Sequence, residues 1–201
     1  QALATSPTVL AQILAIDSDE AIFRGRLQSG LVYPDCQRYF DSASAYIAND
    51  EKIVGQAAGH ITPRISLDGS VRKMPAMICY QDKVYAALAL AAVAKGAEVA
   101  PAFSYQINSS FWESFANLQY LHIPGMSIPV DANGDILLPW WLARQEMVSI
   151  SAKAVLQGEA PPGFLSGAWA LVGATAFGIG DAVPTPLGGA VSGVEVHAQL
   201  L

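Results

Sequence analysis

The sequence predicts an α/β fold, with a mixed, largely parallel central sheet, helices on both faces and added β-hairpins. Three observations carry this. Thr8 to Ile16 is a near-continuous apolar run ended by Asp17-Ser-Asp-Glu20, the pattern of a parallel strand covered on both faces. Lys83 to Gly96 is rich in Ala and Leu with no interior Gly or Pro, which predicts a helix closed by Gly96. The tail then reads as strand, glycine-rich loop and helix, the α/β repeat unit.

In chain order, Gly30 to Gln37, with Pro34, reads as an irregular loop, and Arg38 to Asn49 as a weakly amphipathic helix. Ile61 to Ile65 and Ser70 to Ile78 flank Asp68-Gly69, a dipeptide suited to the positive φ values of a tight hairpin turn. After the 83–96 helix, Glu98 to Ile107 is expected as a strand. Ser127 to Asp131 and Asp135 to Pro139 surround Asn133-Gly134 and predict a second hairpin. Ser149 or Ser151 is placed to cap a short helix running to Gly158, and Gly158 to Gly163 is a turn-rich link. Ala168 to Val172 is the expected last strand, 173–193 the loop and Val194 to Leu201 the closing helix. With no repeat or clear linker, one domain is expected over 1–201.

Composition narrows the function. The 201 residues carry 11 Lys+Arg against 17 Asp+Glu, a net charge of −6, which excludes a general nucleic-acid binder with its basic patch. Only 14% of residues are charged and 52% are hydrophobic, with mean hydropathy +0.33, so disorder is excluded. The apolar excess points to a partner, an oligomer or a nearby membrane. The longest apolar run, Tyr85 to Ala94, is about ten residues, half of what a spanning helix needs. The chain opens on Gln1 without a leader pattern, so a fragment of a longer protein is expected. Cys36 and Cys79 are too far apart in sequence for a zinc or redox motif. Two buried thiols is the favoured reading, a disulfide the alternative.

Chemical motifs are scarce. Gly173 to Gly180 lacks the phosphate-cradling lysine pattern, there is no G-x-S-x-G elbow, and His60, His122 and His197 lie far apart outside any H-E-x-x-H helix. No metal and no cofactor are expected. Asp181, Glu195 and His197 are the sharper candidates, since a carboxylate beyond a strand and a Glu/His pair at a helix start can converge where open α/β sheets bind ligands. Asp181 and Thr185 can equally bond loop amides, and Glu195 can stabilise the first helical turn. Arg72, after the Asp68-Gly69 turn, is either an ion-pair partner or an anion contact.

Leu171 to Asp181, Thr185-Pro186 and Gly193-Val-Glu-Val-His-Ala198 resemble the closing signature of the second subtype of CHASE domain, a sensory extracellular domain associated with cyclases and histidine kinases. Gly59-His60-Ile61, Asp68-Gly69, Val71-Arg72, Pro75 and Leu88-Ala-Leu90 resemble its middle motif. Ile128 to Asp131, Gly134 and the Ile150 to Gly158 segment resemble the hairpin and short helix before its last strand. Together they cover about 51–201 in the right order. Ser192 stands where the family usually has Pro, Trp140-Trp141 replaces a more polar hairpin end, and the family's opening βαβ portion has no counterpart here.

The resemblance implies a non-enzymatic, extracytoplasmic sensor domain of an inner-membrane receptor, with a cytoplasmic adenylate or diguanylate cyclase, histidine kinase or Ser/Thr kinase. It implies membrane tethering, homodimerisation, an unidentified small-molecule ligand and a C-terminal helix that passes conformational change to the membrane. The expected ligand-binding residues are Asp181, Thr185, Glu195, His197 and Arg72. The competing readings are a periplasmic hydrolase-like enzyme using Asp181, Glu195 and His197, and a ligand-free dimerisation ectodomain.

Overall fold

The computed structural model describes residues 2–98, 104–107, 119–123, 125–142, 146–174 and 182–201. In chain order they form α1 (Ala2–Thr5), β1 (Val9–Ala15), β2 (Phe23–Arg24), β3 (Leu31–Val32), a 3-10 turn (Cys36–Arg38), β4 (Ala45–Ile47), β5 (Ala57–His60), β6 (Arg64–Ile65), β7 (Val71–Pro75), β8 (Met77–Tyr80), β9 (Lys83–Ala86) and α2 (Leu88–Gly96). Then follow β10 (Ser104–Ile107), β11 (Gln119–Ile123), β12 (Met126–Val130), β13 (Asp135–Leu137), α3 (Ala152–Leu156), β14 (Ala182–Pro184), β15 (Ala190–Ser192) and α4 (Gly193–Ala198).

The fold is α/β. Its four-stranded sheet runs β2-β4-β1-β5, parallel at β1/β5 and β2/β4 and antiparallel at β1/β4. The remaining strands form the antiparallel sheets β13-β7-β6, β3-β9-β8 and β10-β11-β12 and the β14-β15 hairpin. In β1 only the face of Gln12 and Leu14 is buried, while Ala11 and Ile13 are exposed. The expected two-sided cover is therefore corrected: the apolar run reflects one buried face and one thinly covered one. Gln12 is satisfied inside, donating to the Gln28 carbonyl (3.1 Å) and accepting from the Gln28 N–H (3.1 Å). At Gly59 of β5 an added Cβ would stand 2.5 Å from the Leu88 Cα, so the missing side chain lets α2 start directly against the strand.

Several expectations are corrected. Arg38 to Asn49 holds no helix, because Ala45-Tyr-Ile47 pairs with β1 (Leu14 opposite Tyr46) and Tyr46 packs edge-on against Phe23 and Tyr80, both at 5.4 Å. Aromatic and β-branched residues pack well on a pleated surface, and that contact overrides a weak helical period. The 83–96 helix begins only at Leu88. Gln81 and Asp82, both at positive φ (49° and 56°), form a two-residue turn joining β8 to β9, a primed hairpin turn built without the usual glycine. Gly96 ends the helix as a packing residue, covered by the Trp169 ring, and the left-handed residue is Glu98 (φ 53°).

Asp68-Gly69 makes the expected hairpin between β6 and β7, with Gly69 at φ 79°. Asn133-Gly134 makes its turn, Gly134 N–H donating to the Asp131 carbonyl at 2.9 Å, but the flanking strands part: β12 joins β11 and β13 joins β7. Ser151 caps α3 by accepting from the Ala154 N–H at 3.1 Å. Of the 98–107 strand, Ser104–Ile107 is formed, and 99–103 lie outside the described residues. Gly30 to Gln37 is not wholly irregular, since β3 pairs with β9. Ala168 to Val172 is no strand and stays largely exposed, with Trp169 folded over Gly96. Within the expected loop 173–193, β14 and β15 form a hairpin.

Cys36 and Cys79 are joined in a disulfide with Cα atoms 5.6 Å apart, correcting the favoured reading of two thiols. β8 runs beside the 3-10 turn and brings both cysteines into the core, at 0% and 2% exposure. That core also holds Val71, Met74, Met77, Leu121, Val130 and, from α4, Val196. Across its edge Arg64 binds Asp135, whose side chain is fully buried, and Asp41, including a 2.9 Å bond to Asp135 Oδ1. Those contacts, the Asp135 hydrogen bond first, raise Arg64 above its ordinary range, and burial pushes the Asp135 carboxyl up against the pull of Arg64.

Candidate functional site

Beyond β13 the chain turns sharply at Trp140, which takes a positive φ of 49°, an uncommon conformation for a bulky residue. Two contacts with β7 hold it there: the Trp140 indole N–H donates to the Val71 carbonyl (3.0 Å), and Leu138 N–H donates to the Arg72 carbonyl (2.8 Å). The result is an indole wall facing α4. Between that wall, Met147, the β14-β15 hairpin and α4 lies a cleft of about 270 Å³, lined by Trp140, Trp141, Met147, Leu187, Glu195 and Gln199, with Thr185 at its edge.

α4 is tied to this wall. The Gln199 amide pairs with the Leu142 backbone in both directions, accepting from its N–H (3.2 Å) and donating to its carbonyl (2.8 Å). At the other end of α4, Ser192 and Glu195 make a capping box, Ser192 Oγ donating to Glu195 Oε1 at 2.9 Å and Ser192 N–H reaching the same oxygen at 3.5 Å. The Glu195 carboxylate thereby satisfies the N–H and hydroxyl of Ser192 and stands at the positive end of the helix dipole.

Of the expected ligand residues, the structure brings Thr185 and Glu195 to this cleft. Thr185 Oγ1 donates to the Gly188 carbonyl at 3.1 Å and its N–H to the Gly189 carbonyl at 3.2 Å, so it shapes the β14-β15 turn. His197 lies on the same helix, buried, and is not part of the cleft lining. Arg72 stands apart on β7 in a bidentate pair with Asp68, at 2.8 and 2.7 Å. The Arg72 guanidinium holds the Asp68 carboxyl well below the usual carboxylate range and is itself raised by that hydrogen bond. Asp181 lies outside the described residues.

The lining sets what the cleft can do. Its apolar walls are two indoles, Leu142, Met147, Leu187 and Val191. The side chains of Thr185, Glu195 and Gln199 are each engaged with the protein's own backbone or hydroxyls. Such a surface favours flat apolar contact and a neutral or cationic group beside Glu195. Among the described residues no three His, Cys, Asp or Glu side chains gather as a metal set.

Sequence reasoning missed Trp140, Trp141, Met147, Leu187 and Gln199. The double tryptophan, replacing a polar hairpin end, was the available signal, together with Gln199 one helical turn beyond Glu195. It also treated His60 as a lone structural residue. His60 is fully buried at the end of β5, and burial first, then His197, pushes it down to about 3.

No helix among the described residues is long and apolar enough to cross a membrane. No curated protein and no solved structure matches the chain. The family model of the CHASE2 domain matches it over residues 1–201, the first fifty residues included. The chain therefore belongs to the CHASE2 family, extracellular sensory domains found in cyclases and kinases.

Proposed function

We propose that this chain is the signal-receiving domain of a membrane-bound receptor, and that a small apolar molecule in the tryptophan cleft shifts α4, which hands the change to the membrane. The cytoplasmic partner is an adenylate or diguanylate cyclase or a histidine or Ser/Thr kinase, and the receptor works as a homodimer. The observation that carries this reading is the Gln199 clasp, because the side chain of Gln199, the residue that follows directly on α4, holds the cleft wall at Leu142. A ligand that reseats Trp140 or Trp141 must then strain or relax α4. Only a difference in affinity between two arrangements can drive output, and the typical coupling of about 1–3 kcal/mol corresponds to roughly 5- to 150-fold. The Cys36–Cys79 bridge agrees with an oxidising, extracytoplasmic setting.

Output of the full-length receptor, measured as second messenger or phosphotransfer, tests this. Gln199→Ala and Trp141→Ala should change basal or induced output at unchanged protein level. Unaltered signalling by both folded variants defeats the reading. Asp181→Ala and His197→Ala in the same assay ask whether either residue contributes.

A further inference from the structure

We propose that the protein carries a second ligand site, for a neutral polyhydroxy molecule of sugar size, in the cavity beside the Cys36–Cys79 bridge. The cavity measures about 420 Å³, within the roughly 300–1,000 Å³ of small-molecule sites. Gln37, Ser42, Tyr80, Gln81 and Asp82 line it, with Cys79, only 2% exposed, as a buried wall. It shares no lining residue with the tryptophan cleft, so it stands independently of the sensor reading above.

Three stretches far apart in sequence meet here, and each is already held in place. Gln37 sits in the 3-10 turn, fixed to β8 by the disulfide. Ser42 lies in the stretch before β4, where Ala43 N–H donates to the Cys79 carbonyl and Cys79 N–H to the Asp41 carbonyl, both at 2.8 Å. Gln81 and Asp82 form the turn between β8 and β9, anchored by Tyr33 N–H on the Asp82 carbonyl (2.9 Å) and by Asp35 N–H on Asp82 Oδ1 (3.2 Å). A frame fixed in advance lowers the ordering cost of binding. The turn itself carries strain. Both of its residues take positive φ, 49° and 56°, where Asn-Gly or Asp-Gly fits with less strain. Backbone strain of this kind clusters at ligand sites, and here it places two polar side chains in the cavity lining.

The lining selects the class of ligand. Two carboxamides each offer donors and an acceptor, Ser42 and Tyr80 offer hydroxyls, and Asp82 accepts. Gln81 Nε2 donates to the Tyr80 hydroxyl at 3.3 Å, joining the two into one polar unit. Adjacent hydroxyls of a sugar ring match such groups in pairs, and the C–H face of the ring matches the flat body of Tyr80. Tyr80 packs against Tyr46 (5.4 Å) and Phe23 (6.3 Å), and Phe23 is half-exposed, so an aromatic surface continues beyond the cavity. Among the described residues no Lys or Arg lines it, which disfavours anions. Four neutral polar side chains against one carboxylate favour a neutral ligand over a cation.

Amide-shift NMR titration of the 201-residue chain with methyl glucopyranoside and maltose tests the proposal. Saturable shifts should appear at the side-chain amides of Gln37 and Gln81. Gln81→Asn/Asp82→Gly installs the turn sequence that the backbone prefers, so its melting temperature should be unchanged or higher, while both probes should bind about 10-fold more weakly or worse. Gln37→Ala should weaken them in the same direction. Tighter binding of maltose than of the monosaccharide extends the site along Phe23 to a glycan chain, and equal binding confines it to a single free ring; both support it. No saturation by either probe up to about 100 mM, or equal affinity in wild type and the folded turn variant, overturns the proposal. So do shifts at the Trp140 and Trp141 indole N–H groups in place of those at Gln37 and Gln81, or tighter binding of choline or glucuronate than of the neutral sugars.

Discussion

The double replacement Cys36→Ala/Cys79→Ala removes a covalent link across a sequence separation of 43. Closing a loop of that length restricts the unfolded chain by about 4 kcal/mol at 25 °C. Both cysteines are buried in the main core cluster, so losing two sulfurs acts in the same direction through packing. For a chain of this size each kcal/mol moves the melting temperature by about 2–4 °C, and the variant should melt roughly 8–16 °C below wild type. Thermal unfolding followed by near-UV circular dichroism measures it, with wild type refolded in reductant as the matched control. A difference under about 3 °C, or reduced wild type melting with the oxidised form, would refute the idea that the bridge constrains the unfolded chain.

Asp135→Asn leaves Arg64 with Asp41 alone beside a buried amide. Because Arg64 is itself 30% exposed, the cost should fall near the low end for a broken buried pair, about 2–3 kcal/mol in urea unfolding; Arg64→Met added to it should recover most of that loss. Gly59→Ala forces a methyl to 2.5 Å from the Leu88 Cα, so strand and helix must part, at about 3 kcal/mol and with a lower melting temperature. His60 sets the acid side of the stability curve. Its docked value near 3 lies below the ordinary 6.5, so its share of stability is complete above 6.5 and declines as pH falls towards 3. Between pH 7.5 and 5.0 denaturant unfolding should show about 2 kcal/mol of loss, absent in His60→Gln.

The parts of the fold legible in the sequence were those decided locally. The positive φ that Asp68-Gly69 and Asn133-Gly134 advertise, the Ser151 cap and the start of the closing helix all rest on a few adjacent residues. Elements decided by distant partners were misread. Tyr46 and Ile47 become strand because β1 lies beside them, and Lys83–Ala86 because Gln81 and Asp82 accept left-handed backbone without a glycine. The spacing of Cys36 and Cys79 leaves the disulfide only as an alternative, since spacing alone does not say that β8 returns beside the 3-10 turn. At the candidate site, Thr185 and Glu195 were visible as polar residues around a helix start. The tryptophan wall was not, because its position follows from β7 holding Trp140 and Leu138 across more than sixty residues of sequence.

The central claim is that α4 carries information from this domain to the rest of a receptor. Output of the intact membrane-embedded protein should therefore be compared between wild type and Gln199→Ala, which cuts the clasp to Leu142 while leaving the capping box of α4 in place. A change of at least 5-fold in basal or induced output, with the domain folded, is the expected result. Identical output from the two proteins would contradict the account.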